Sequence, residues 1–125
     1  MRGKGWIALG ALALTGCVSV PKGTVVPLTD EVRANIETAT RRVMKDPDSA
    51  QFGEIAGAQT PEGTINVCGM VNAKNSFGGY VGSRPFFGVY YPRDSYFEFR
   101  TMADSASEFQ ILRIMCENAG VPVMF

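Results

Sequence analysis

The 125-residue chain contains no histidine. That absence removes the commonest general base, the side chain whose charge changes near neutral pH, and the commonest metal ligand. Cysteine is scarce as well. The three residues Cys17, Cys68 and Cys116 stand too far apart to provide zinc-ligand spacing. There is no excess of charge of either sign, with 12 Lys plus Arg against 12 Asp plus Glu. A balanced chain lacks the basic face that phosphate backbones require, so nucleic acid is not an expected partner. No apolar run approaches the ~20 residues a membrane-spanning helix needs. What is present is a globular composition, 46% hydrophobic and 19% charged, at a length that suits one domain.

The N-terminus is the most informative stretch. Arg2 and Lys4 make a basic n-region, and residues 6–14 form an apolar h-region. This is the layout of a secretory signal. Leu14-Thr15-Gly16-Cys17 follows at once and resembles the lipobox of bacterial lipoproteins. The resemblance implies cleavage after Gly16, removal of residues 1–16 as a signal peptide, and acylation (palmitate among the chains) of Cys17. Two or more acyl chains hold a protein stably on a bilayer, where one holds only marginally. Val18 rather than Asp follows the cysteine. By the sorting rule of enterobacterial lipoproteins this implies the outer membrane, with the domain in the periplasm. The mature chain would carry a slight acidic excess and no polybasic membrane patch. Its contact with the bilayer is then expected through the acylated Cys17.

With Cys17 occupied by lipid, Cys68 and Cys116 remain. An oxidising compartment favours their pairing, and the bond would close a loop of about 50 residues, worth ~4 kcal/mol on the chain-entropy account. Two other readings stand beside it: a redox pair, for which there is no C-x-x-C, and two separately buried thiols.

Residues 18–29 hold two prolines and a glycine without helical period, and read as a tether behind the lipidated Cys17. Residues 30–45 predict a helix, with Val32, Ile36, Ala39 and Val43 as one stripe, Thr29 or Asp30 as cap, and Pro47 as stop. Arg41, Arg42 and Lys45 fall in its last turn, where cations suit the helix dipole better than they suggest a phosphate site. A first strand is expected at 51–58, then a turn at 60–63. In residues 64–74, Ile65, Val67, Gly69, Val71 and Ala73 alternate with Asn66, Cys68, Met70 and Asn72. Residues 84–91 and 96–101 read as a hairpin, with Phe87, Val89, Tyr91, Phe97 and Phe99 on the buried face and Tyr90, Tyr96, Glu98 and Arg100 on the other. Residues 105–119 predict a second helix with a Ser105/Glu108 capping box, an inner stripe of Phe109, Leu112, Met115, Cys116 and Ala119, and a Gly120 stop. Both Cys116 and Cys68 would then face inward. Residues 121–125 are an apolar tail. Together these elements predict an α+β domain over residues 30–125: an antiparallel sheet of about four strands with an N-terminal and a C-terminal helix packed on one face.

Two segments, Asp46-Pro-Asp-Ser-Ala-Gln-Phe52 and Val67-Cys-Gly-Met-Val-Asn-Ala-Lys-Asn-Ser-Phe-Gly-Gly-Tyr80, resemble a pattern of small, uncharacterised exported proteins and lipoproteins of proteobacteria. The resemblance covers about a third of the chain and implies no activity, cofactor or catalytic residue.

Chemistry is thinly supplied. No serine stands in G-x-S-x-G. The carboxylates Asp46 and Asp48, and Asp94 and Glu98, read as caps and turn formers rather than a hydrolytic pair. No cofactor or metal is expected. The stretch Asn75-Ser-Phe-Gly-Gly-Tyr-Val-Gly82 sets glycines around two aromatics without the spacing of a phosphate loop. Two readings of it remain. It is either a glycine turn with Phe77 and Tyr80 folded over the core, or a projecting loop in which Asn75, Phe77, Gly78, Gly79 and Tyr80 meet a partner. The expected function is a membrane-anchored, non-catalytic interaction module of the cell envelope, meeting an envelope protein or the cell wall. The alternatives are a small-ligand or inhibitor-type binder and, further off, a carboxylate-dependent hydrolase.

Overall fold

The alternation in residues 64–74 fixes the centre of the molecule. In the computed structural model, which describes residues 20–123 and 125, this segment is the middle strand of a five-stranded antiparallel sheet. The order follows the chain: β1 (Thr24–Val26), β2 (Gln51–Gln59), β3 (Ile65–Asn72), β4 (Arg84–Tyr91) and β5 (Tyr96–Met102). Helix α1 (Asp30–Arg41) lies between β1 and β2, and α2 (Ala106–Asn118) follows β5. The architecture is α+β, as expected, with one strand more than the sequence suggested. The signal segment, Cys17 and Val18 lie outside the described residues.

The two helices do not share a face. Ile65, Val67 and Val71 of β3 pack with Phe86, Tyr90 and Phe97 against Ile36 of α1. Cys68, Phe87 and Val89 point the opposite way and pack with Leu112, Cys116 and Ala119 at the α2 side. The expectation of helices on one face is therefore corrected to one helix on each face. The physical reason is that β3 and β4 are buried on both sides, so both faces need an apolar cover.

The hairpin faces are corrected too. The connection over residues 92–95 pairs Tyr91 with Tyr96 and Tyr90 with Phe97. Direct antiparallel partners point to the same side. Phe97 and Phe99 thus join Phe86 at the α1 face, with ring centroids 6.4 and 6.3 Å away, while Phe87, Val89 and Tyr91 belong to the α2 face.

Helix α1 begins as predicted, with the Thr29 hydroxyl accepting from the Val32 N–H at 3.2 Å. It ends at Arg41, four residues early, and Val43 is 52% exposed rather than part of the stripe. Arg41 does more than face the helix dipole. Its guanidinium donates to the carbonyls of Pro47 and Ala50 and lies 5.0 Å from the Phe52 ring centroid. These contacts hold the connection to β2, and past Arg41 the backbone tightens into i to i−3 bonds, Val43 N–H to Thr40 O and Met44 N–H to Arg41 O.

Residues 20–29 are not a free tether. β1 pairs with β2, the Gly23 N–H donates to the Ala119 carbonyl at 2.9 Å, and the buried Asn66 amide donates to Pro21 and Ala119 carbonyls at 2.7 and 3.1 Å. Ala119 closes α2, where helical carbonyls lack partners, so the N-terminal segment satisfies an acceptor the helix leaves open.

Helix α2 is capped by Ser105, which accepts from the Glu108 N–H, while the Glu108 carboxylate accepts from the Asp104 N–H. At its other end Val121 N–H bonds Cys116 O and Gly120 N–H bonds Glu117 O, a Schellman motif with Gly120 at φ 84°. The tail returns to the domain, with Phe125 edge-on to Phe109 at 5.3 Å. The predicted disulfide is present: Cys68 at the middle of β3 is joined to Cys116 in the last turn of α2. No helix among the described residues is long and apolar enough to cross a membrane.

Candidate functional site

The chain leaves β3 at Asn72 and re-enters the sheet at Arg84, and the excursion between them is organised by short polar contacts. Lys74 and Tyr80 form an isolated antiparallel bridge. The Asn75 side-chain oxygen accepts from the N–H groups of Phe77 and Gly79 at 2.9 and 3.2 Å, an Asx-type turn. Backbone bonds Asn75 N–H to Gly79 O and Gly78 N–H to Asn75 O close it. Gly78 sits at φ 82°, which a side chain would strain.

Of the residues singled out in the sequence, Asn75, Gly78 and Gly79 build the turn and are exposed along it. Phe77 is at the tip and 97% exposed. It is not folded over the core. Tyr80 is strapped down: its hydroxyl donates to the Ser49 carbonyl at 3.1 Å, and the Lys74 ammonium lies 5.5 Å from its ring centroid. Ser49 also accepts from the Lys74 N–H through its hydroxyl at 2.8 Å. The two aromatics therefore have different jobs, one bracing the loop and one displayed by it.

Beside the loop base lies a groove of about 440 Å³. Its walls come from the chain just after α1 (Val43, Met44, Lys45), the end of β3 (Val71, then Ala73 and Lys74), and Met102 at the end of β5. Arg84 and Asp104 complete it and are ion-paired with each other. No local pattern points to this groove, since Val43 fits the helical stripe in the sequence and only the structure ends α1 at Arg41. Nothing local could reveal it, because four separate segments meet there.

No family model, curated protein or solved structure matches this chain. The geometry alone therefore describes the site: a braced loop with one displayed aromatic, next to a groove of mixed apolar and charged lining. The carboxylates named in the sequence do not converge on it. Asp48 and Asp94 lie in short 3-10 turns, and the Asp46 carbonyl accepts from Ser49. Glu98 accepts from the Tyr91 hydroxyl at 3.0 Å and pairs with Arg100. Among the described residues no cluster of three or more His, Cys, Asp or Glu is placed to hold a metal ion.

Proposed function

We propose that this chain is a cell-envelope lipoprotein, lipid-anchored through Cys17 in the outer membrane and facing the periplasm, which acts as a non-catalytic interaction module through residues 75–82. The observation that carries the reading is Phe77, 97% exposed at the tip of a loop held by its own hydrogen bonds. A displayed aromatic on a preorganised loop buries a large area at low ordering cost, which is how interface anchors work.

The register supports this orientation. Asn66, which holds the N-terminal segment through Pro21, sits near the start of β3, and the loop leaves from its far end. Six residue steps from Asn66 to Asn72 separate the two by roughly 20 Å at ~3.3 Å per residue. A lipid on Cys17 lies only three residues from Val20, within ~10 Å of chain. The loop would then face away from the bilayer, toward an envelope protein or the cell wall. The groove favours a second reading, a small-ligand binder. A hydrolase is the least supported, because the carboxylate on the groove wall, Asp104, is already paired with Arg84.

Crosslinked membranes carrying the full chain provide the test. Wild type should capture a defined envelope component, and Phe77→Ala should lose it while the fold stays intact. Undiminished capture would remove the loop from the proposal. Labelled palmitate should enter wild type and not Cys17→Ser; equal labelling of both would remove the anchor.

A further inference from the structure

We infer that the groove beside the loop is a binding site for an anionic amphiphile, a carboxylate or phosphate head on an apolar body. This goes beyond the loop as a protein-docking surface and does not depend on it.

The floor is apolar and deformable. Met44 and Met102 line it together with Val71 and Ala73 and pack against the same core, and methionine adapts its shape to what it contacts. Its volume, about 440 Å³, falls in the range of small-molecule sites. The rim is positive. Arg84 and Asp104 neutralise each other, whereas neither Lys45 nor Lys74 makes an ion pair among the described residues. The lining thus combines two lysines that have no ion-pair partner among the described residues with the apolar side chains of Val71, Ala73, Met44 and Met102. Lys74 is held in place by the Tyr80 ring, so part of the cost of ordering it is already met by the fold.

The same geometry disfavours an extended peptide as the occupant. β3 and β4 are interior strands whose edges are already paired, so the walls they supply offer no open ladder for main-chain hydrogen bonds, and β5, the edge strand, contributes only its last residue, Met102. One charged head between two lysines and one apolar body over the methionines uses what is there.

The test is titration of the intact Cys17→Ser chain, free of ionic detergent, followed by backbone amide NMR shifts. Dodecanoate and dodecyl phosphate should move the amides of Val71, Ala73, Lys74 and Met102 saturably, and whichever binds tighter tells a carboxylate source from a phosphate source. Dodecyltrimethylammonium should not compete. Lys45→Gln with Lys74→Gln should weaken dodecanoate at least about tenfold, the loss of a charge-assisted contact. Met44→Glu, which places a like charge on the floor, should abolish binding. Phe77→Ala should leave dodecanoate binding unchanged, so that failure of the loop proposal and failure of this one are read separately. The inference is overturned if dodecyltrimethylammonium binds as well as dodecanoate, if acetate or inorganic phosphate alone binds as tightly, if the shifts fall outside the groove, or if an acidic leucine-rich peptide displaces dodecanoate more strongly than any amphiphile.

Discussion

Asn66 is the residue whose loss should say most about how this domain is tied to its N-terminus. It is 1% exposed, and its amide donates to Pro21 O at 2.7 Å and Ala119 O at 3.1 Å. Asn66→Ala removes two hydrogen bonds, each worth about 1 kcal/mol net, and strips a donor from buried carbonyls, for a total of about 2–4 kcal/mol. In a domain of this size that corresponds to a fall in Tm of roughly 10–20 °C. Asn66→Asp keeps the shape but has no amide donor and brings a charge among carbonyl oxygens, so it should fall further. The damage should also be local. Gly23 N–H, bonded to Ala119 O at 2.9 Å, should lose hydrogen-exchange protection well before Val67 in the middle of β3, because the edge segment opens first. The assay is a thermal melt of the three proteins with exchange read at Gly23 and Val67. A Tm drop under about 3 °C for both variants, or Gly23 protection equal to wild type, would refute the idea that Asn66 holds the segment.

Three further outcomes follow from the packing. Cys68→Ser with Cys116→Ser should cost roughly 4 kcal/mol, the loop-closure contribution of the bond between β3 and α2, measured by denaturant unfolding; non-reducing mass spectrometry of wild type should show two hydrogens missing. Gly69→Ala should destabilise by about 1–3 kcal/mol through overpacking, because a Cβ there would stand 2.6 Å from the Phe86 ring; a neutral melt would show that this ring can move aside. Phe77→Ala should change stability by no more than about 0.5 kcal/mol, as an exposed side chain does, which keeps its effect on capture interpretable.

Local periodicity settled most of the elements. The alternation of β3 named both of its faces correctly, the Thr29 and Ser105 caps start both helices, and Gly120 ends the second. The periodicities turn both Cys68 and Cys116 inward, and they meet. These features are legible because each depends on neighbours within about one turn or one strand. The Phe77 loop was visible as an unusual composition, yet whether Phe77 packs or projects depends on contacts of Asn75, Tyr80 and Ser49 that bridge distant positions.

Long-range geometry decided the rest. Residues 20–29 read as a tether because three strand residues carry little pattern; the partners that fix them, residues 57–59 of β2, Asn66 and Ala119, lie far along the chain. Which face each helix covers is set by the burial of both sides of β3 and β4, a property no single segment reports. The faces of the last hairpin turned on register across residues 92–95, where counting pairs from Tyr91 and Tyr96 outward moves every side chain of β5 to one side or the other. The groove is the extreme case, since it exists only where four segments converge. Sequence alone thus determined the periods, caps and stops, whose energies are local, while tertiary structure decided faces, edges and cavities, because those depend on which distant surfaces exclude water together.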